Sequence, residues 1–414
     1  MTDQLNDETA ARKRRNAALV LAPGLMAYSM GQTVLFAVAG PVIRDIGLTE
    51  FQFGMIISAA ALMFVIASPI WGRLSDALGR KRVIVFGLFA YSITSLAFAG
   101  VMDLGLSGTL AVATVFFSLL AIRLTYAGLG AGIQPSSVAL MADLSAKEDR
   151  ASAVAIVGAA FGFGMILGPA AAAGLVHWGV LTPLYAIAGL GFFMALLAAF
   201  GLKEPERTSE KTVGERPKLD VMTLLPIMMI ALLLFTAVSA LQQTMAFYIQ
   251  DYLGADAEEA AQATGICFVA MAVATLIVQG VILQRFKLGP QMLLGVGIPL
   301  MAAGVALYAF PAGFVQIVIA STLIGLGYGC ANPGVIAAAS LRVPADHQGA
   351  AAGLVQAMMA AGYIFGPLGG TALYQIGAIW TATLVGACLV CTLPFILAAR
   401  TPTNAGGELS DMAA

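Results

Sequence analysis

The sequence predicts an all-α membrane protein of twelve transmembrane helices in two pseudo-symmetric six-helix halves, and three observations carry that expectation. First, the 414 residues are 60% hydrophobic and only 10% charged, against roughly 25% charged in soluble domains, and the mean hydropathy is +0.91. Second, apolar runs near 20 residues, each able to cross a hydrocarbon core of about 30 Å, recur along nearly the whole chain. Third, landmarks repeat at a fixed offset of 198 residues: Gly164-x-x-x-Gly168-Pro169 returns as Gly362-x-x-x-Gly366-Pro367, and Pro135 returns as Pro333. Unbroken apolarity argues for helices, since barrel strands would give short alternating segments.

Taken in order, residues 1–17 read as a polar tail ending in Arg12-Lys13-Arg14-Arg15, with no cleavable signal peptide expected. The first six spans fall at about 18–40, 52–73, 83–102, 109–134, 152–176 and 181–201, forming an N-terminal bundle over 18–201. A linker at 202–220 follows, because Lys203 to Asp220 holds ten charged residues with Pro205 and Pro217. Spans seven to twelve fall at about 222–248, 260–284, 290–310, 313–337, 349–373 and 378–399, within a C-terminal bundle over 221–400. Residues 401–414 form a second tail. With both termini placed in the cytoplasm, nineteen of the twenty-one Lys and Arg residues lie on that side, as the positive-inside rule requires. Arg44 falls on the opposite side and Arg123 lies within a span.

Composition excludes several classes. No basic tract suggests nucleic acid, and no P-loop is present to bind a nucleotide. Cys267, Cys330, Cys388 and Cys391 all lie in apolar segments and read as small packing residues, with no metal or cofactor expected. An intramembrane enzyme would need clustered His, Asp or Ser groups in the spans, and none is present. Internal repeats in a membrane protein point instead to a transporter.

Several residues stand out on physical grounds. Residues 72–82 concentrate five charges between two apolar stretches and must form a tight loop at a membrane face. Gly79 permits the helix reversal, and Asp76, a lone acid in a basic loop, suits a helix N-terminus. Arg123 is the only basic residue inside a span, so it must face protein or a water-filled cavity, with Gln32 a candidate partner. Proton coupling calls for a titratable group, and Asp45 and Asp251 follow the repeat-equivalent spans one and seven. A glutamine pair inside a span, Gln242 and Gln243, needs polar partners or a ligand. Gly164, Gly168, Gly362 and Gly366 allow close helix approach, while Pro169 and Pro367 bend their helices.

The pattern Gly72-x-Leu74-x-Asp76-x-x-Gly79-Arg80-Lys81 resembles the loop 2–3 motif of the major facilitator superfamily, specifically its twelve-span drug/proton antiporters. Arg123-x-x-Tyr126 followed by Gly128, Gly130 and Gly132 is similar to that family's span-four motif, and Gly164-x-x-x-Gly168-Pro169 to its span-five antiporter motif. Ala77, Ala127, Ala155, Ala172 and Ala173 depart from the usual residues. The resemblance covers about residues 18–400. It implies that Asp76 meets the start of span eleven and locks an outward-facing state, and that Arg80 pairs with Asp143, with Arg150 joining. It implies a role for Arg123 in proton coupling or in polarising the cavity. It further implies a cavity lined by spans one, four, seven and ten, with Tyr28, Gln32, Phe36, Tyr126, Gln242, Gln243, Phe247, Tyr248, Tyr328 and Asn332, joined by Gln356 and Met359.

The expectation is therefore a monomeric secondary transporter of the bacterial cytoplasmic membrane, in contact with lipid, small-molecule substrate and protons, and not an enzyme. It would exchange an amphipathic small molecule for protons by alternating access. A symporter or uniporter importing a metabolite, an exporter of a metallophore-like metabolite, and a non-transporting receptor are the alternatives.

Overall fold

The computed structural model describes residues 2–145, 149–204, 221–286, 288–344 and 347–399. Most of the expected linker, 205–220, and the C-terminal tail 401–414 lie outside the described residues. Every regular element among the described residues is helical, and twelve helical stretches are long and apolar enough to cross a membrane.

Span one is α1 (Thr2–Ile46), which begins ahead of the expected start, so the basic tail continues the helix. Span two is α2 (Glu50–Leu78). Its N-terminus is closed by a capping box in which the Thr49 hydroxyl accepts from the Gln52 N–H at 3.2 Å and the Gln52 side chain accepts from the Thr49 N–H at 2.8 Å. Span three is α3 (Arg80–Leu106), separated from α2 only by Gly79, whose φ of 105° is a left-handed value that a Cβ would strain.

Span four is interrupted. It runs as α4 (Val112–Gly130) and α5 (Ile133–Asp143), so it extends past the expected end near 134. Pro135 has no N–H to offer the carbonyl of Ala131, which weakens the helix at this point. The Gly128 carbonyl next to that break accepts from the indole N–H of Trp71 at 2.6 Å. The repeat-equivalent Pro333 lies within an unbroken helix, so the same residue is absorbed differently in the second half.

Spans five and six are α6 (Arg150–Leu175) and α7 (Thr182–Gly201). Span seven is α8 (Val221–Leu253), and span eight is α9 (Ala257–Ile277), a π-turn at Val278–Ile282 and the short α10 (Leu283–Arg285). Spans nine to eleven are α11 (Pro290–Ala309), α12 (Phe314–Ser340) and α13 (Gln348–Tyr374). Span twelve is α14 (Ala378–Cys391) with α15 (Leu393–Ala398).

Contacts group the chain into two compact units, one formed by Met1–Lys211 with Gln243–Val269 and the other by Thr212–Gln242 with Ala270–Ala414. In the first unit α1 packs on α3, α6 and α7, and α4 packs on α2 and α3. In the second, α11 packs on α12 and α14, and α13 packs on α12 and α14.

The glycine motifs explain one packing feature in each unit. A Cβ on Gly168 would lie 2.6 Å from the Met30 carbonyl of α1, and one on Gly164 would overlap Ser29. In the second unit a Cβ on Gly362 would lie 2.7 Å from Phe235 and from the Thr236 backbone of α8, and Gly366 meets the same turn. The sequence repeat is thus a repeat of contact: α6 lies flush on α1, and α13 lies flush on α8. Without side chains in the way, backbones approach closely and gain dispersion contact that lipid does not supply.

Candidate functional site

Three groupings of polar residues lie in the first unit. The central one is built around Arg123 in α4. Its Nε is fully buried and has no hydrogen-bonding partner. The guanidinium carbon sits 4.5 Å from the centre of the Tyr126 ring and 5.9 Å from that of Phe98, in cation–π range. Tyr28, Tyr91 and Tyr126 are all buried and cluster with ring centroids 5.3–6.2 Å apart. Gln32 Nε2 donates to the Tyr126 hydroxyl, and the Tyr91 hydroxyl donates to the Ala27 carbonyl at 3.0 Å. A cavity opens beside the guanidinium, lined by Gln32, Tyr91, Thr94, Ser95, Phe98 and Tyr126 with Leu35, Leu184 and Ile187. The structure thus brings three expected residues together, Arg123, Gln32 and Tyr126, with Tyr28 stacked beside them. Tyr91, Thr94 and Ser95 of α3 were not anticipated; their only sequence signal is a polar face within an apolar span.

The second grouping is the Gly72–Arg82 loop. Arg80 pairs with Asp76 at 2.6 Å and with Asp143 at 3.2 Å, and donates to the Ser75 hydroxyl at 2.6 Å. The Arg80–Asp143 pairing is the one the family resemblance implies. The start of α3 is capped by Glu204, which follows α7: its carboxylate accepts from the backbone N–H groups of Arg80 at 2.6 Å and Lys81 at 3.1 Å. A carboxylate on the first N–H groups of α3 satisfies donors that the helix cannot. A Cβ on Gly79 would lie 2.8 Å from that carboxylate, a second reason for glycine there. Nearby, Arg14 pairs with Asp149 at 2.6 Å, while Gly72 is half-buried and Arg150 is exposed.

The third grouping lies at the opposite end of α1 and α2. Arg44 pairs with Glu50 at 2.6 Å and with both oxygens of Asp251, at 2.5 and 3.0 Å. It also donates to Gln250 at 3.2 Å and stands 4.9 Å over the Phe247 ring. Phe247 is fully buried and packs edge-on against Phe53 of α2, centroids 6.2 Å apart. Asp45 is exposed and lies outside this network. The two acids paired by repeat symmetry are therefore unlike in surroundings. The partners Arg44 and Glu50 were missed, although Arg44 was signalled as the one loop cation that opposes the charge bias.

The remaining expected residues are distributed between the units. In the first, Gln243 is 1% exposed and neither of its amide atoms has a hydrogen-bonding partner. Tyr248 stacks on Tyr252, and Phe36 is half-buried. In the second, Tyr328 and Tyr363 flank Phe235 edge-on, Gln242 and Asn332 are half-buried, Met359 is buried and Gln356 is exposed. Among the described residues no group of three His, Cys, Asp or Glu side chains could hold a metal ion.

Comparison with known proteins adds kinship to this geometry. The family model described as the Major Facilitator Superfamily matches residues 21–303 and again 227–410. Multidrug resistance protein 1 of Bacillus subtilis (strain 168) is 24% identical over 401 residues, covering 95% of this chain and 98% of that protein. Quinolone resistance protein NorA of Staphylococcus aureus (strain MSSA476) is 24% identical over 358 residues, covering 84% of this chain and 87% of that protein. Among solved structures, a D-xylose-proton symporter superposes with a TM-score of 0.71 at 15% identity, covering 93% of this chain and 99% of that one.

Proposed function

Because this chain belongs to the Major Facilitator Superfamily, a family of transporters rather than enzymes, we propose that it exports an amphipathic small molecule across the bacterial cytoplasmic membrane in exchange for protons. The observation that carries this reading is its full-length similarity to multidrug resistance proteins, at 95% coverage of the chain. The structure shared with a sugar symporter supports the fold alone.

Both termini and the Gly72–Arg82 loop face the cytoplasm, and Arg44 faces outside. Each face then carries a charged latch. The cytoplasmic one joins Asp76, Arg80, Asp143 and Glu204. The outer one ties span one, span two and span seven through Arg44, Glu50 and Asp251. Alternating access breaks and remakes these latches in turn. Asp251, which faces Arg44 at 2.5 Å, is the acid we assign to proton coupling at the outer latch. Gln243, a buried amide without partners, contacts substrate as it passes, since each unsatisfied polar atom costs about 1–3 kcal/mol unless something pairs with it.

The test is transport into everted vesicles with an imposed proton gradient, using a fluorescent zwitterionic quinolone as probe. The reading predicts accumulation that stops when an ionophore collapses the gradient. Accumulation that follows the probe's own gradient, whatever the ΔpH, contradicts proton coupling.

A further inference from the structure

Arg123 carries a permanent charge in the interior of a span. It lies eleven residues beyond Val112, the start of α4, or roughly 16 Å at 1.5 Å per residue, too far for its side chain to reach that end of the helix. Its cavity is lined by hydroxyl, amide and apolar groups, with no Asp or Glu among them, and no ion pair to Arg123 forms among the described residues. An arginine buried in a membrane protein is otherwise paired or set in a water-filled cavity, because an isolated charge is strongly disfavoured there. This one is surrounded only by neutral protein groups.

The arrangement of those groups favours an anion. The Tyr126 and Phe98 rings lie at 4.5 and 5.9 Å from the guanidinium carbon, an attraction that engages the cation without using its N–H donors on a protein carboxylate. Nε has no acceptor. The Tyr126 hydroxyl, which accepts from Gln32 and shares a hydrogen bond with the Tyr28 hydroxyl, stands beside the same space. Thr94 and Ser95 line the same space. The cavity offers about 20 Å³ to the centre of a water molecule; since one water needs about 10–15 Å³ by this measure, there is room for one or two oxygen-sized groups. A carboxylate has two oxygens, and the guanidinium fork is the side chain best matched to them. Leu35, Leu184, Ile187 and Phe98 make the remainder of the lining apolar, which suits an organic anion better than a strongly hydrated one.

We infer that Arg123 holds the carboxylate head of an organic anion, and that the protein's cargo is anionic or zwitterionic rather than a simple lipophilic cation. The assignment of that anion as cargo rests on the transport reading above. Binding itself is measured without a gradient, so failure of proton coupling and failure of this site are separate results.

The experiment uses the full chain in lipid nanodiscs and compares benzoate with benzamide, its neutral counterpart of nearly the same shape, by titration calorimetry in gluconate buffer. Benzoate is expected to bind roughly tenfold or more tightly than benzamide, as a charged hydrogen-bonded pair outweighs a neutral one. Arg123→Gln removes that preference, and Arg123→Lys, which keeps charge but not the fork, retains part of it. Should Arg123→Gln not fold, Tyr126→Phe gives a second test, weakening benzoate severalfold and benzamide by less, because a hydrogen bond to a charged acceptor is the stronger one. Equal affinity for the two probes in the parent protein overturns the inference. Binding of chloride that depends on Arg123, with no binding of benzoate, also overturns it, because the anion would then be inorganic.

Discussion

Two arginines of the first unit meet opposite fates. Arg44 stands at the end of α1 with two carboxylates, at 2.6 Å from Glu50 and 2.5 Å from Asp251. Arg123 stands in the middle of a span over two aromatic rings and has no carboxylate partner among the described residues. Both are partly shielded from water. The first has its charge balanced by the protein and gains geometry: it ties α1, α2 and α8 at one point. The second has no such balance, so its charge is held ready for something the protein does not contain. On the inference drawn above, the paired arginine is a joint and the unpaired one a binding group.

The comparison can be broken by removing each charge. The largest expected effect is on transport by Arg123→Gln, a loss of roughly tenfold or more for an anionic cargo, read as initial rate in vesicles normalised to protein inserted. Arg44→Gln removes the cation of the outer latch, so it lowers stability as well as transport. It leaves Glu50 and Asp251 facing each other without a cation, and because the Asp251 side chain is 52% exposed, solvent screening limits the cost to about 1 kcal/mol. A double-mutant cycle on Arg44 and Asp251, including the swap Arg44→Asp with Asp251→Arg, should recover most of that loss; a swap no better than either single change would mean that the pair does not act as a latch. Gln243→Leu should raise stability by about 1 kcal/mol, since it replaces two unsatisfied buried amide atoms with an apolar side chain, while it lowers transport. Smallest is Glu204→Gln at the start of α3, about 0.5 kcal/mol at low ionic strength and vanishing in high salt, measurable as a salt-dependent difference in unfolding midpoint.

The same contrast explains what could be read from the sequence. The twelve spans, the loop at Gly72–Arg82 and the packing glycines are patterns of composition along the chain, and composition decides which segments can enter hydrocarbon. Arg123 stood out for the same reason: a single cation in an apolar run is costly unless it faces protein or a cavity. Partners were not legible, because pairing is a property of the folded chain. Arg44 and Asp251 lie 207 residues apart, and nothing local distinguishes Asp251 from Asp45. Glu204 sits 124 residues from the N–H it caps at the start of α3, and nothing in the sequence pointed to it. The break in span four lay between the two kinds: Pro135 was visible, but its repeat mate Pro333 sits in an unbroken helix, so the proline alone does not decide the outcome.

The most direct measurement of the contrast is the unfolding midpoint of Arg44→Gln and Arg123→Gln side by side, in ligand-free nanodiscs. An arginine that serves as a joint should be missed, and one held for a ligand should not. The midpoint of Arg44→Gln is expected below that of the parent protein, and the midpoint of Arg123→Gln at or above it. Equal falls in both would contradict the account, because Arg123 would then be a structural residue like Arg44.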